Sequence, residues 1–209
     1  MGFDITGIVS VVIIVLVSMI LHELMHGMVA YWLGDDTAKL QGRLTLNPIA
    51  HIDPITTVLV PVLLYIAGLP PFGAAKPVPF NPDRVKFEEY GAALVGIAGP
   101  LTNLVLAFIS YVLLITIGSN PAVVNFLSLA VTVNLSFFAF NILPIPPLDG
   151  SRVLYAFAPD FIRRGMEAME RYGIYVIFAL VLVGGSFFST VITAIASACL
   201  RLFMTLLGR

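Results

Sequence analysis

Charged residues divide this chain into long oily runs. None of Asp, Glu, Lys or Arg occurs in Ile5–Leu21, Pro54–Ala75, Tyr90–Leu148 or Tyr172–Leu200. A helix needs about 20 apolar residues to cross a bilayer. The first run, extended to Trp32, predicts one span. The third is long enough for two, and Gly118-Ser119-Asn120-Pro121 offers the turn between them. The fourth, with Gly184-Gly185-Ser186 near its middle, predicts a helical segment or hairpin over 172–207, with the hairpin preferred.

The second run differs. It holds Pro54, Pro61, Pro70 and Pro71, which leave an apolar piece of about 15 residues, too short for a full span and suited to a re-entrant segment packed against protein. The stretch Gln41–Pro48 before it alternates mildly, in the manner of a strand. The polar connectors 34–53, 76–89 and 150–171 are too short for a soluble domain. The expected fold is therefore an all-α polytopic membrane protein of about five to six hydrophobic segments, with a re-entrant or β-like stretch after the first span. It reads as a single domain over 1–209.

Composition agrees. Of 209 residues 59% are hydrophobic and 11% charged, and the mean hydropathy is +1.00. Such a chain has the lipid bilayer as its main partner. A net charge of −1 and the lack of an aromatic–basic patch argue against nucleic acid. The single cysteine, Cys199, permits no internal disulfide and no cysteine-based zinc site. The first run has no basic lead and no small-residue cleavage site, so it is read as retained rather than as a removed signal. Nothing in the sequence points to an oligomeric state.

One segment breaks the pattern. In SMILHELMHGMVAYWLG, residues 18–34, two histidines and a glutamate sit inside an apolar helix. Burying them is costly unless something neutralises or coordinates them. His22 and His26 are four apart, so they share a helix face and can bind one metal, while Glu23 stands beside it. His-Glu-x-x-His is the zinc-protease arrangement: two imidazole ligands and a carboxylate that takes a proton from water. The alternative is a pair of core histidines with an ion-paired glutamate.

Catalytic zinc takes three protein ligands. A third histidine six residues after His26 would fall at Trp32, and no further glutamate appears before Glu88, so two soluble patterns fail. His51 or a carboxylate remains. Asp149 closes the longest uncharged run in Asn141-Ile-Leu-Pro-Ile-Pro-Pro-Leu-Asp149-Gly150. Backbone broken by prolines at membrane depth suits a cavity lining, which makes Asp149 a candidate ligand. A helix-ending turn with a solvated aspartate is the other reading.

Together these phrases resemble the site-2 protease family of intramembrane zinc metalloproteases. The matching elements are His22-Glu23-Leu24-Met25-His26, Asn141-x-x-Pro144-x-Pro146-Pro147-Leu148-Asp149-Gly150, and between them Gly96-Ile97-Ala98-Gly99-Pro100-Leu101-Thr102-Asn103. Asn47-Pro48-x-x-His51-Ile52-Asp53-Pro54 resembles the short bacterial and archaeal branch, and the likeness covers residues 10–155. The resemblance implies one Zn2+ per chain on His22, His26 and Asp149, with Glu23 as general base and acid. It also implies that Asn141 and Asn103 contact substrate or the developing oxyanion. His51 is read as a loop histidine, with an accessory contact as the alternative. Many relatives carry a PDZ or nucleotide-sensing domain, for which these residues have no room.

The implied activity is zinc-dependent endoproteolysis of the transmembrane segments of membrane proteins. The alternatives are a metal-binding or transport protein and a relative that binds clients without cutting. A transporter predicts polar residues repeated through the spans, whereas Tyr90–Phe140 offers only Ser, Thr, Asn and Tyr. Basic residues cluster in the connectors after the first and third spans and are missing from Met1–Gly7 and Gly118–Pro121. Basic loops stay in the cytoplasm. The expectation is a cell-membrane protein with its N-terminus outside and its active site toward the cytoplasmic side.

Overall fold

Apolar on every side, Ile5–Trp32 forms one 28-residue helix, α1. Its buried positions include Ile14, Ser18, His22, His26 and Ala30, a stripe with one residue per turn, while Val9, Val12, Val17 and Trp32 stay exposed. An exposed apolar flank is what a helix presents to lipid. The computed structural model describes residues 5–60, 63, 66, 75–182 and 185–208. After α1 come α2 (Thr37–Leu40), α3 (Glu88–Ile117), α4 (Pro121–Asn141), α5 (Gly150–Phe157), α6 (Asp160–Arg171), α7 (Gly173–Leu182) and α8 (Gly185–Leu206). Short turns at Pro48–His51 and Pro82–Arg84 and a π-helical turn at Pro54–Leu59 complete the described chain.

Among the described residues four helices, α1, α3, α4 and α8, are long and apolar enough to cross a membrane. Against the expected five to six hydrophobic segments, the described residues thus give four candidate spans and the shorter α7, and most of the prolyl stretch lies outside them. Residues 172–207 contain two helices, α7 and α8, with 183–184 outside the described residues. Three Asn-Pro pairs start turns or helices in the same way. Asn47, Asn81 and Asn120 each accept the N–H two residues on, with proline at the first helical position, whose missing donor costs nothing there.

Among the described residues no strand forms. The expected strand-like stretch instead curls off the end of α2. Gln41, Gly42 and Arg43 donate their N–H groups to Thr37, Lys39 and Ala38, and Gly42 adopts φ +65°. Those donors are spent locally and cannot enter a ladder. The question of re-entry falls largely on residues outside the described set, but the two ends of that stretch meet. Lys76 N–H donates to the His51 carbonyl at 2.9 Å. Lys86 N–H likewise reaches the carbonyl of Leu33, at the end of α1, at 2.9 Å. The end of α1 and the chain leading into α3 therefore lie side by side.

Helix lengths place the site. The turn at 118–120 joins α3, of 30 residues, to α4, of 21. At 1.5 Å per residue these span about 45 Å and about 31 Å, so α4 stops about 14 Å short of the start of α3. Ile142–Asp149 and α5 fill that gap against the first turns of α3. Such irregular chain at membrane depth needs its polar groups satisfied. Pro144, Pro146 and Pro147 have no N–H to satisfy. Ile142, Leu143, Ile145 and Leu148 donate to carbonyls within the segment or the end of α4. The interior face of α3 is built from Ala92, Gly96, Gly99, Asn103 and Ala107, small residues that let neighbouring helices come close. Arg163–Glu89 and Arg152–Glu170 pairs tie α5 and α6 to the start of α3.

Candidate metal centre

His22 and His26 lie about 15 Å and about 9 Å inside the end of α1, and Gly99 lies about 16 Å from the start of α3. The loop after α4 brings Asp149 to this level. His22 Nε2 is 3.0 Å from Asp149 Oδ2 and 3.0 Å from His26 Nε2, and His26 Nε2 is 3.4 Å from the same carboxylate oxygen. These three side chains form a group whose ligand atoms could hold a metal ion.

The chemistry of the donor set fits zinc. His26 Nδ1 is 2.7 Å from the Val95 carbonyl, which can only accept, so Nδ1 carries the proton and Nε2 a lone pair. His22 Nδ1 likewise faces Asn103 Oδ1 at 2.6 Å. Two lone pairs and a carboxylate oxygen thus converge on one point, an arrangement that repels itself unless a cation sits between them. Two ligands on a tetrahedral zinc lie about 3.3 Å apart, given bond lengths near 2.0–2.1 Å. The observed separations match. Gly99 makes the room: a Cβ there would stand 2.3 Å from His26 Nε2 and 2.5 Å from His22 Nε2.

Glu23 opens on the same cleft, a cavity of about 340 Å³ lined by His22, Glu23, Pro77, Phe140, Asn141 and Asp149 among others. Its Oε2 accepts the Val78 N–H at 2.8 Å. That donor stands alone, because Pro77 and Pro79 on either side have none. The Val78 segment is itself anchored. Lys76 N–H is held by His51 O, and the Lys76 carbonyl accepts from Arg43 Nη2 at 2.6 Å. Arg43 is buried, and its Nε has no partner among the described residues.

The remaining sequence candidates fall in three places. Asn141 lines the cleft, its Nδ2 donating to the Phe137 carbonyl at 3.0 Å. Asn103 is fully buried behind His22 and does not line the cleft. His51 lies outside the metal group. It is also fully buried, its Nε2 donating to the Thr45 carbonyl at 2.8 Å while Nδ1 has no partner among the described residues. Sequence reasoning missed Val78, Arg43, the Val95 carbonyl and Asn134, whose Oδ1 accepts from Asn103 Nδ2 at 3.0 Å. Only Asn134 left a signal, as an amide inside an apolar run.

A His-Glu-x-x-His helix facing an aspartate inside a bundle of membrane-length helices defines a multi-pass membrane zinc metalloprotease. Residues 115–184, which include the Asp149 loop, match peptidase family M50. The chain is 43% identical over 178 residues to YwhC of Bacillus subtilis, covering 81% of this chain and 78% of that one. It is 28% identical to Rip2 of Mycolicibacterium smegmatis over 80% of this chain and 64% of Rip2. The archaeal MJ0611 of Methanocaldococcus jannaschii is 32% identical over 65% of this chain and 63% of its own length. All three bear the name "Putative zinc metalloprotease". No solved structure matches. The chain belongs to peptidase family M50, the family its motifs resemble, and is a zinc metalloprotease.

Proposed function

We propose that this protein is an intramembrane endopeptidase that cuts within the transmembrane segments of other membrane proteins. His22, His26 and Asp149 hold the zinc, and Glu23 carries the proton. One observation carries the reading: His22, Glu23 and Asp149 line one cleft about 15 Å inside the end of α1, with His26 Nε2 3.0 Å from His22 Nε2 and 3.4 Å from the Asp149 carboxylate. A peptide bond attacked there lies within the membrane thickness.

Zinc held at that point supplies a Lewis acid that polarises the scissile carbonyl and makes water a nucleophile near neutral pH. The chain's own groups do the rest. Val78 N–H fixes one oxygen of Glu23, so the other is aimed to take a proton from the attacking water and pass it to the leaving amide nitrogen. Asn141 Nδ2 is placed to turn from the Phe137 carbonyl toward the developing oxyanion. Phe137, Phe140, Pro147 and Leu148 wall the cleft and limit water.

The test is a comparison of cell-membrane fractions holding the wild type or Glu23→Gln. New peptide termini inside transmembrane segments, present only with the wild type, support the reading. Termini confined to loops overturn it, and metal flux that survives Glu23→Gln favours a transporter.

The same reading places the N-terminus outside and the site toward the cytoplasm. Arg84–Asp36, Arg163–Glu89 and Arg152–Glu170 gather both basic connectors at one end of the bundle, as cytoplasmic loops require. With Cys199 replaced, cysteines at the exposed Ser119 and Ala168 should label with an impermeant thiol reagent from outside and inside respectively. Labelling of both from one side would refute this topology.

A further inference from the structure

The two zinc-facing histidines are oriented by different means. His26 Nδ1 donates directly to the Val95 carbonyl, a backbone group that can only accept. His22 Nδ1 meets an amide, and an amide has two ends. Turned one way, Asn103 presents Oδ1 and keeps the proton on Nδ1, leaving Nε2 free to ligate. Turned the other way it presents Nδ2, which draws a lone pair onto Nδ1 and puts the proton on Nε2, where it blocks the metal.

We propose that Asn134 and Asn103 form a directional relay that selects the metal-binding tautomer of His22, with both asparagines as positioning residues. The relay starts at the Ala130 carbonyl in α4, whose polarity cannot change. Asn134 Nδ2 donates to it at 2.9 Å, which turns Asn134 Oδ1 toward α3. That oxygen accepts from Asn103 Nδ2 at 3.0 Å, which turns Asn103 Oδ1 toward α1. Asn103 Oδ1 accepts from His22 Nδ1 at 2.6 Å, which leaves Nε2 unprotonated toward Asp149 and His26. A second donation from Asn103 Nδ2, to the Ser18 carbonyl at 3.5 Å, favours the same orientation. Asn103 is fully buried and Asn134 is 3% exposed, so no solvent competes at either link. Four hydrogen bonds thus carry one fixed direction across three helices to a nitrogen of the site.

This rests on the reading of His22 as a zinc ligand, and the experiment separates the two. In metal-free protein labelled with 15N-histidine, only three imidazoles contribute signals. His22 should carry its proton on Nδ1 in the wild type and shift toward the Nε2-protonated form in Asn134→Leu. Zinc affinity of Asn134→Leu, measured by chelator competition, should fall about 10- to 100-fold, the usual cost of losing a group that orients a ligand. The decisive variant is Asn103→Asp combined with Asn134→Leu. A carboxylate presents an acceptor whichever way it turns, so it needs no orienting partner, and the double variant should recover zinc affinity and the Nδ1-protonated signal. A merely structural role for Asn134 predicts no such rescue. An unchanged tautomer in Asn134→Leu, or a double variant no better than Asn134→Leu, overturns the relay. If His22→Ala binds zinc like the wild type, the ligand reading fails, while the 15N signals still decide the relay.

Discussion

Adding one methyl group at Gly99 should weaken the metal site while leaving the fold. The Cβ of alanine there would lie 2.3 Å from His26 Nε2, 2.5 Å from His22 Nε2 and 2.7 Å from His22 Cδ2. Ordinary contact needs about 3.5 Å, so something must retreat by about 1 Å. The imidazoles cannot swing away freely, because their Nδ1 atoms are held by Asn103 and Val95. If α3 retreats instead, the packing of Ala30 in α1 against Val95 opens. Overpacking of this kind costs about 1–3 kcal/mol. Displacing the ligands relieves it, because zinc–nitrogen distances tolerate only about 0.2 Å. At 1.4 kcal/mol per tenfold, zinc affinity should drop about 10- to 100-fold. Metal content by mass spectrometry and chelator competition on detergent-purified protein would measure this, with Gly165→Ala as control. Gly165 sits in α6 with nothing within 4 Å of an added Cβ, so alanine there should leave zinc unchanged and add up to about 1 kcal/mol of helix stability. Wild-type zinc affinity in Gly99→Ala, with His22→Ala losing the metal, would refute the claim that close approach at Gly99 shapes the site.

Three further outcomes follow from the geometry. Glu23→Gln should retain zinc and lose cleavage, whereas Asp149→Ala should lose both and Asp160→Ala neither; normal turnover by Glu23→Gln would remove it as proton carrier. Arg43→Ala should lower cleavage about tenfold with zinc content intact, because a hydrogen bond from a charged donor is worth about 1.5–3 kcal/mol and this one anchors the segment that holds Glu23; parallel loss of zinc would contradict that route. Burial opposes the charge on Asp35, but hydrogen bonds from the Thr37 hydroxyl and the Asn81 and Thr37 amides, with Arg84 nearby, hold its carboxyl below the usual range. A folded-state value below the unfolded value near 3.9 means stability is present above that pH and lost as pH falls through the folded value. Asp35→Asn should therefore cost about 1–3 kcal/mol of stability at pH 7 for each buried donor left unpaired, read as a lower melting temperature, and the gap to wild type should narrow below about pH 4. A gap equally wide at pH 7 and pH 3 would sink this account.

What the sequence determined by itself was whatever depends on neighbours along one helix or on bulk hydropathy. Uncharged runs of membrane length predicted α1, α3, α4 and α8, because a lipid-facing helix must be apolar whatever it packs against. The four-residue interval of His22 and His26 put two ligands on one face before any partner was known. Asp149 could be singled out because prolines and a charge at membrane depth are costly without a cavity. Tertiary structure decided the rest. Strand-like alternation at Gln41–Pro48 lost to the local donors of α2, since period alone carries no knowledge of where the N–H groups go. Asn103 resembled a substrate contact in sequence, yet it stands behind His22 because α3 turns that face inward toward Asn134. Val78 and Arg43 had no signal at all. Their roles come from bonds closed between residues 33 to 55 positions apart, and the loop path alone sets such distances. Which way an amide points is likewise a property of the groups around it, and here those groups belong to three different helices.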